Sequence, residues 1–488
     1  MLKTAKEYTE SLRKFKPNLY LFGEKVENRV DNPIIRPSIN SIAMTYKLAH
    51  EPENEALATA SSMLTGKKVS KFNSLFQSTD DLVNKIKLQR VLGQRTACCF
   101  QRCVGMDGIN AVFSTTYEID QKHGTDYHQR FREWLKHVQE NDLCISGAMT
   151  DVKGDRGVAP SEQADPDMFV HIVERRSDGI IIRGAKAHQT GVANSHEMLV
   201  MPTLRMREAD KDYAVSCAVP TDAEGVTLIC GRQPCDTRKL EEGDIDVGNY
   251  NFGGHEALVI LDDVFVPWEK VFMCGEIDFS IMLVERFATY HRQSYGGCKA
   301  GIGDVLIGAV SSMADYNGVR RAAHIRDKIS EIIHLTETIH ACGLGCSYEG
   351  HRTMAGNYQP NILLANICKL NVTRFPYEIT RLAEDIAGGL LVTTPSEKDF
   401  RHPVIGKYID KYLKGVPGVP TEARYRMLTL IHAMTFGLAA LSYRTESMHG
   451  AGSPQAQKIM IEREVDMEYR QKLARRIAGI DERENVLA

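Results

Sequence analysis

Apolar residues recur at helical spacing through the first 140 residues of the chain. The stretch 1–15 has the pattern of an amphipathic helix, and a later helix is indicated after Ser78. Ser78 supplies an N-cap, Asp80 and Asp81 supply an acidic first turn, and apolar positions follow at a helical period. The pattern predicts an N-terminal helical domain over residues 1–141.

The pattern changes after Asn141 to short runs of β-forming residues, separated by turn clusters such as Ser177-Asp178-Gly179. These runs cover residues 143–148, 168–173, 179–184, 198–202, 212–219, 226–230 and 256–266. Short strands with turn signals and no intervening helical pattern favour an antiparallel barrel or sandwich. We expect a middle antiparallel β-barrel domain over residues 142–275.

Long helical patterns return after Asp278. One runs from Ile325 to Cys346 and another from Asn361 to Leu391, and a Pro- and Gly-rich break at 415–420 precedes the last helical portion. We therefore expect a C-terminal helical bundle over residues 276–488. The order of helices, strands and helices indicates an α+β multidomain protein.

Composition and charge exclude several classes of protein. Hydrophobic residues make up 43% and charged residues 25% of the 488 positions, which excludes a disordered chain, a collagen-like fibre and a simple coiled coil. The net charge of -3 argues against a nucleic-acid partner. No apolar run reaches the roughly 18 residues of a membrane span, and the N-terminus lacks the features of a signal peptide. We expect a cytoplasmic protein with no membrane partner, whose twelve cysteines stay reduced.

Two of these cysteines, Cys99 and Cys103, are four residues apart within a helical pattern. On one helix face they would lie about 6 Å apart along the axis, which suits two thiolates that bind different irons of one cluster. Two buried core cysteines explain the spacing equally well. Cys342 and Cys346 have the same spacing, so the motif is weak by itself.

A second constellation places His291, Tyr295, Cys298 and Lys299 within nine residues. On a helix, the first three would share a face. His291 and Cys298 would be about 10.5 Å apart along the axis, which is long for one cluster, although Gly296-Gly297 could bend the helix and shorten that distance. The alternative is a polar seam in a helical bundle with a close glycine contact.

Three further segments carry candidate chemistry. Gly253-Gly254-His255-Glu256 enters a predicted strand, so Glu256 is either an acid–base group or a solvated strand end. The segment 443–454 places small residues beside Glu446 and His449, which suits backbone contact with a ligand or a plain loop. The ends of the β-runs at 148–156 and 187–191 could hold a flavin, or form ordinary turns.

Several motifs together resemble a known family. They are Cys-Phe-Gln-Arg-Cys at 99–103, Gly-Ala-Met-Thr-Asp at 147–151, Ala-His-Gln-Thr-Gly at 187–191, Tyr-His-Arg-Gln-Ser-Tyr-Gly-Gly-Cys-Lys at 290–299, Ala-Glu-Asp-Ile-Ala-Gly-Gly-Leu at 383–390 and Tyr-Arg-Thr-Glu-Ser-Met-His-Gly-Ala-Gly-Ser-Pro at 443–454. Over nearly the whole chain, the sequence resembles the 4-hydroxybutyryl-CoA dehydratases, also called vinylacetyl-CoA Δ-isomerases. These belong with the flavin-dependent 4-hydroxyphenylacetate 3-hydroxylases. The resemblance implies an acyl-CoA dehydrogenase-like fold.

The resemblance also implies site residues by position. The ligands of a [4Fe-4S] cluster fall on Cys99, Cys103, His291 and Cys298. Other proposed active-site groups fall on Glu256, Tyr295, Lys299 and Glu446. Cys342 and Cys346 are left as core cysteines.

The resemblance further implies FAD between the β-domain and the C-terminal helices, near a subunit interface of a homotetramer. The candidate FAD-binding residues are Met149, Asp155, Arg156, Gly157, Thr190, Ala451, Gly452 and Ser453.

The implied reaction is dehydration of 4-hydroxybutyryl-CoA to crotonyl-CoA, with isomerisation of vinylacetyl-CoA to the same product. The proton on carbon 3 is not acidified by the thioester, so acid–base catalysis alone is insufficient. The resemblance implies a one-electron route through FAD, with the cluster as Lewis acid on the leaving hydroxyl. In this hypothesis His291 binds iron at rest and serves as the base when substrate displaces it. Tyr295 and Glu446 then assist the leaving hydroxyl, and Glu256 holds or relays a proton.

Three other functions compete with this interpretation. A flavin-dependent aromatic monooxygenase, or an acyl-CoA dehydrogenase with Glu256 or Glu446 as base, gives Cys99, Cys103, His291 and Cys298 no joint role. In a non-catalytic scaffold or electron-transfer flavoprotein, the Glu, His and Tyr side chains would be packing and surface groups. Product formation from substrate separates that last class from the enzymes.

Overall fold

The computed structural model describes residues 2–232 and 251–480; Cys235 lies outside them. The helices of the N-terminal part are α1 (Ala5–Leu12), α2 (Arg36–Leu48), α3 (Glu55–Ala58), α4 (Thr79–Thr96), α5 (Cys103–His123) and α6 (Tyr127–Glu140). The backbone amide of Asp81 donates to Oγ of Ser78 at 3.2 Å, which confirms the predicted N-cap of α4. No disulfide links any of the described cysteines.

The strands of the described chain form two larger sheets and two small hairpins. They are β1 (Asn18–Leu21), β2 (Glu24–Lys25), β3 (Thr59–Ser61), β4 (Lys68–Ser70), β5 (Ile145–Ala148), β6 (His171–Arg175), β7 (Gly179–Thr190), β8 (Glu197–Val200), β9 (Val215–Pro220), β10 (Val226–Cys230), β11 (Glu256–Pro267), β12 (Val271–Cys274), β13 (His351–Arg352) and β14 (Tyr358–Gln359). Each of the seven predicted β-runs overlaps one of the strands β5 to β11, which confirms those runs.

The larger sheets of the described chain do not form a closed antiparallel barrel. One sheet has the order β2-β1-β10-β11-β7-β6 and the other the order β12-β9-β8-β5. Two pairs are parallel, β1 with β10 and β5 with β8, so the prediction of purely antiparallel pairing was wrong. Strand β1 comes from the N-terminal segment, and a local sequence pattern does not identify so distant a pairing partner.

The C-terminal part is helical. Its helices are α7 (Ile277–Tyr316), α8 (Ala323–Tyr348), α9 (Ile362–Val372), α10 (Phe375–Ala387), α11 (Leu390–Thr393), α12 (Glu397–Phe400), α13 (Gly406–Tyr412), α14 (Thr421–Thr435), α15 (Leu438–Ala440), α16 (Glu446–His449), α17 (Pro454–Glu464) and α18 (Met467–Ile477). A π-helical turn, Leu441–Thr445, joins α15 to α16. None of the described helices combines the length and apolar character that crossing a membrane requires.

One predicted helix is wrong as a single element. The pattern from Asn361 to Leu391 contains α9, α10 and α11 instead. Pro376 lies in the first turn of α10, where it has no amide hydrogen to continue a preceding helix. Gly388, with φ of +80°, ends α10. By contrast, the predicted helix from Ile325 to Cys346 lies within α8 and is confirmed.

Helix α7 is tightly packed between α4 and α8. A Cβ atom at Gly296 would lie 2.5 Å from Cα of Gly343 on α8, and one at Gly297 would lie 2.5 Å from the carbonyl oxygen of Ile86 on α4. The helix runs without interruption through both glycines, so they do not break it. Their role is close helix contact on two sides, which holds the candidate site residues of α7 in place.

Candidate functional site

Cys99 and Cys103 do not share a helix face as predicted. Helix α4 ends at Thr96, and the backbone then takes left-handed φ values at Ala97 (51°) and Gln101 (65°). Helix α5 begins only at Cys103. The two thiols are nevertheless both buried, at 7% and 5% exposure, because the connecting turn folds into the protein interior.

Helix α7 brings a third buried thiol, Cys298, to this turn. Burial, the charge of Glu446 and the neighbouring thiols Cys103 and Cys298 raise the pKa of Cys99 well above its usual range. Burial raises the pKa of Cys298 to about 11. Sγ of Cys99 lies 3.8 Å from Oε1 of Glu446. Three thiols from two chain segments therefore meet beside one carboxylate.

His291 is oriented by a buried carboxylate. Nδ1 of His291 lies 2.8 Å from Oδ2 of Asp107, and Oγ of Ser294 donates to the same oxygen at 3.0 Å. Nζ of Lys85 lies 2.7 Å from Oδ1 of Asp107. Burial alone would raise the pKa of Asp107, but Lys85 and His291 lower it. An ionised Asp107 keeps the proton of neutral His291 on Nδ1, which leaves Nε2 available as a ligand or base.

Asp107 and Lys85 were not predicted from the sequence as site residues. Both side chains are completely buried, on α5 and α4 respectively. For Asp107 the available signal was a single charged residue in the largely apolar stretch 103–113, since such residues are almost never fully buried unless they are paired. Lys85 lies among other charged residues of α4, so it had no such signal.

Tyr295 lies next to His291, with ring centroids 5.3 Å apart. Its hydroxyl is buried and has no hydrogen-bond partner among the described residues. Burial and the charge of Glu446 raise the pKa of Tyr295 well above its usual range. The hydroxyl abuts Gly450, where a Cβ atom would lie only 2.3 Å from it. The neutral phenol of Tyr295 therefore lies beside the three thiols, and its hydroxyl is a hydrogen-bond donor that is not in use.

Glu256 begins β11 directly after the predicted glycine turn. Oγ1 of Thr190, at the end of β7, donates to Oε2 of Glu256 at 2.7 Å. Burial of its carboxyl group and the charge of Glu446 raise the pKa of Glu256 well above its ordinary value of 4.5. The raised pKa favours the protonated form of Glu256, which is therefore not a solvated strand end.

Lys299 joins this site to the C-terminal turn. Its Nζ donates to the carbonyl oxygen of Ser442 at 2.6 Å and lies 5.2 Å from the ring centroid of Tyr295. A further lysine, Lys369 of α9, lies 4.6 Å from the same centroid and was missed by the sequence reasoning. No motif marked it, because its neighbours in the chain are ordinary helix residues.

The candidate flavin residues fall in two groups on the β-sheets and the C-terminal turn. The carbonyl of Met149 accepts from Nζ of Lys186 at 2.8 Å, and Thr190 contacts Glu256. Burial, together with the charges of Lys153 and His449, lowers the pKa of His188, so the end of β7 lies near the C-terminal turn.

The remaining candidates occupy turns with distinct geometry. Oδ1 of Asp155 accepts from the amide of Gly157 at 2.8 Å, and the segment 155–157 is exposed and separate from the buried thiols. Ala451 and Gly452 have φ values of 55° and 96°, and Ser453 precedes α17. Nε of Arg292 donates to the carbonyl oxygen of Ala451 at 3.0 Å, which fixes this turn to α7.

The described residues contain no group of three or more His, Cys, Asp or Glu side chains arranged to hold a single metal ion. The predicted ligand set therefore stays a prediction. The three thiols lie together in the protein interior, but they are not arranged around one position that could hold a single ion.

Comparison with known proteins places this site in context. Family models described as 4-hydroxyphenylacetate 3-hydroxylase N terminal and C terminal match residues 4–273 and 281–479. A 4-hydroxybutyryl-CoA dehydratase/vinylacetyl-CoA-Δ-isomerase of Clostridium aminobutyricum is 60% identical over 98% of this chain and 100% of its own length.

Solved structures agree with that comparison. An oxygen-tolerant archaeal 4-hydroxybutyryl-CoA dehydratase from N. maritimus superposes with a TM-score of 0.96 at 58% identity, over 99% of this chain and 96% of the other. The oxygenase component of 4-hydroxyphenylacetate 3-monooxygenase, complexed with FAD, gives a TM-score of 0.85 at 24% identity, over 97% and 98% of the two chains. The latter likeness concerns the fold.

Proposed function

The chain belongs to the 4-hydroxyphenylacetate 3-hydroxylase family, and we propose that it acts there as a 4-hydroxybutyryl-CoA dehydratase with vinylacetyl-CoA Δ-isomerase activity. This lyase converts 4-hydroxybutyryl-CoA to crotonyl-CoA and water. The 60% identity to a dehydratase over that enzyme's full length supports the assignment.

One observation favours the dehydratase over the other candidate enzymes. Three buried thiols lie together beside Glu446, next to His291, whose Nδ1 contacts Asp107. An aromatic monooxygenase or an acyl-CoA dehydrogenase has no use for these thiols.

The donor set fits a [4Fe-4S] cluster held by Cys99, Cys103, Cys298 and Nε2 of His291. Cysteine thiolates are the usual cluster ligands, and each protein ligand binds a different iron, so a common focus for one ion is not required. The hydrogen bond from Nδ1 to Asp107 gives the histidine the orienting partner that metal-bound imidazoles have. Nearby Lys299 offsets the negative charge that thiolates would bring.

We place FAD along the Met149 and Thr190 strand ends, the segment 155–157 and the turn formed by Ala451, Gly452 and Ser453. The influence of His449 on the pKa of His188 supports this placement, because it indicates that the end of β7 and the C-terminal turn lie near each other. The family member of similar fold that binds FAD supports the same cofactor.

Assembly and location complete the proposal. We propose a cytoplasmic homotetramer that shares the flavin near a subunit interface. Its chain is divided into a helical domain (1–141), a β-domain (142–275) and a helical domain (276–488).

When bound, FAD would supply a reversible one-electron oxidation, in which the electron returns to the substrate so that the net dehydration is redox-neutral, and the cluster would supply a Lewis acid for the leaving hydroxyl. The residues of the chain manage the protons. Protons leave carbons 2 and 3, the hydroxyl leaves carbon 4 as water, and one proton returns to carbon 4. Nε2 of His291 would hold iron at rest and would serve as the base for the first proton when the substrate displaces it, since Asp107 occupies Nδ1.

Three further groups handle the leaving hydroxyl and the returning proton. The unused donor of Tyr295 and the carboxylate of Glu446 assist departure of the hydroxyl. The raised pKa of Glu256 favours its protonated form, which suits a group that returns protons within a buried site.

The test is to purify the protein without oxygen, measure iron, acid-labile sulfide and flavin per subunit, and assay crotonyl-CoA formation from 4-hydroxybutyryl-CoA. We expect FAD, iron and sulfide in [4Fe-4S] amounts, and turnover. Cys103→Ser should lose iron, whereas Cys217→Ser, a buried thiol on β9, should keep it. Flavin without iron in the wild-type protein would instead support a monooxygenase or a dehydrogenase.

A further inference from the structure

Lys369 is a buried lysine of α9 that the proposed reaction does not use. Its side chain is completely inaccessible to solvent. Its Nζ donates to the carbonyl oxygen of Ser447 in α16, one residue after Glu446. A buried ammonium group is costly unless it is paired, so its presence at this position calls for a role.

The contact is part of a set that anchors the turn 442–451 to the helical bundle. Asn366, one turn before Lys369 on α9, accepts through Oδ1 from Nη1 of Arg292 at 2.7 Å. Nε of the same Arg292 donates to the carbonyl oxygen of Ala451 at 3.0 Å. Helix α9 therefore holds the turn directly through Lys369 and indirectly through Asn366.

The ring of Tyr295 lies near two ammonium groups. Nζ of Lys369 is 4.6 Å and Nζ of Lys299 is 5.2 Å from its centroid. Both nitrogens also donate to carbonyls of the turn, Lys369 to Ser447 and Lys299 to Ser442. One cationic pair thus contacts the phenol and the segment that carries Glu446.

Several charged or titratable groups act on Lys369. They are Lys299 and Arg292 of α7, Glu446 of the turn, and Cys368 of its own helix. Burial, together with Lys299 and Arg292, lowers the pKa of Lys369 to about 7. Its charge therefore changes close to neutral pH.

We propose that Lys369 is a positioning residue for the reaction: it ties the turn 442–451 to α9 and holds a cation near the ring of Tyr295. The tie keeps Glu446 and the Tyr295 hydroxyl in one fixed arrangement around the substrate. Catalytic groups require such support, because small displacements cost large factors in rate. This inference rests on the proposed dehydratase activity.

The test compares Lys369→Met, Lys369→Arg and the control Lys71→Met in the holoenzyme. Lys71 is another buried lysine, in the segment before α4, and its Nζ lies 2.7 Å from Oδ1 of Asp81 in the first turn of that helix. In Lys369→Met we expect kcat to fall by about tenfold to a hundredfold with KM little changed, because the reacting groups are misplaced. Lys71→Met should keep kcat.

The arginine variant and the pH profile separate positioning from general loss of structure. In the wild type, kcat should fall as pH rises through about 7, where Lys369 loses its charge. Lys369→Arg stays charged, so it should recover part of kcat and move that fall to higher pH. Should Lys369→Met not fold, Lys369→Gln replaces it under the same criteria.

Amide hydrogen–deuterium exchange of residues 446–452 tests the tie without reference to turnover. Exchange there should increase in Lys369→Met and stay at the wild-type level in Lys71→Met. Wild-type kcat together with wild-type exchange in Lys369→Met would overturn the inference. A loss of kcat in Lys369→Met would also overturn the inference if Lys71→Met lost kcat equally and Lys369→Arg did not recover it. If the wild type forms no crotonyl-CoA, the proposed function fails, while the exchange measurement still decides the tie.

Discussion

Nδ1 of His291 and Oδ2 of Asp107 lie 2.8 Å apart in the buried centre of the helical bundle. The other oxygen of that carboxylate lies 2.7 Å from Nζ of Lys85. The three side chains come from α7, α5 and α4, so the orientation of the imidazole depends on the packing of three helices. An isolated motif around His291 could not provide this orientation.

Replacing Asp107 with Asn should affect both stability and the histidine. The substitution leaves the Lys85 cation buried without its counterion, which we expect to lower the free energy of unfolding by about 3–5 kcal/mol. It also removes the carboxylate that fixes the imidazole tautomer, so iron content should fall by about tenfold or more. Urea unfolding and iron analysis measure the two effects.

The control for this change is Glu197→Gln on β8, a buried carboxylate that accepts from Nε1 of Trp134 at 2.7 Å. It should lower stability without loss of iron. The double variant Asp107→Asn/Lys85→Met removes both charges and should regain stability but not iron. Full iron content in Asp107→Asn would show that the carboxylate does not orient a ligand.

Replacing His291 with Cys separates the two roles proposed for the histidine. A thiolate can bind iron, so we expect the variant to keep iron and sulfide. It cannot serve as the same base once bound, so turnover of 4-hydroxybutyryl-CoA should be lost, by at least about the 10²–10⁴-fold typical of acid–base groups. Iron analysis and crotonyl-CoA formation are measured on one preparation. An active His291→Cys enzyme would contradict the assignment of His291 as base.

Replacing Glu256 with Gln keeps the shape of the neutral side chain but removes its transferable proton. We expect kcat to fall by about 10²–10⁴-fold, the usual contribution of a general acid or base. Gln can still accept the hydrogen bond from Thr190. Glu384→Gln on α10, whose carboxyl pKa is also raised by burial, should keep wild-type activity.

The wild type and Glu256→Gln should also differ in how the free energy of unfolding depends on pH. Because the folded-state pKa of Glu256 lies above its ordinary 4.5, the unfolded state ionises first as pH rises. The wild type therefore loses stability between 4.5 and the folded-state pKa, and Glu256→Gln does not. The difference in unfolding midpoint should move in favour of the variant as pH increases. A difference that stays constant with pH would mean that Glu256 is not buried as a neutral acid.

The sequence predicted elements better than it predicted their connections. The N-cap at Ser78 and the strands near 143–148 and 256–266 are local features, and they were confirmed. The break between α4 and α5 was missed because Ala97 and Gln101 rarely adopt left-handed φ, which costs energy that the tertiary structure must offset.

The residues of the candidate site show the same difference between local features and distant contacts. Residues that occur in motifs, such as Tyr295 and Glu446, could be found from the sequence. Asp107 and Lys369 act through contacts with chain segments about 80 residues away or more, and no motif in their own neighbourhood marks them. The pairing of β1 with β10 was missed for the same reason.

The close contact of α7 with α8 gives a final prediction with an internal control on one helix. A Cβ atom at Gly296 would lie 2.5 Å from Cα of Gly343, whereas a Cβ atom at Gly308 has nothing within 4 Å. Gly296→Ala must push the helices apart and should cost about 1–3 kcal/mol of stability, with reduced kcat because His291 and Cys298 flank the contact. Gly308→Ala should instead stabilise the protein by about 0.5–1 kcal/mol through helix propensity and leave kcat unchanged. Equal unfolding midpoints for the two variants would show that the bundle absorbs the extra methyl group and that tight packing does not hold the site.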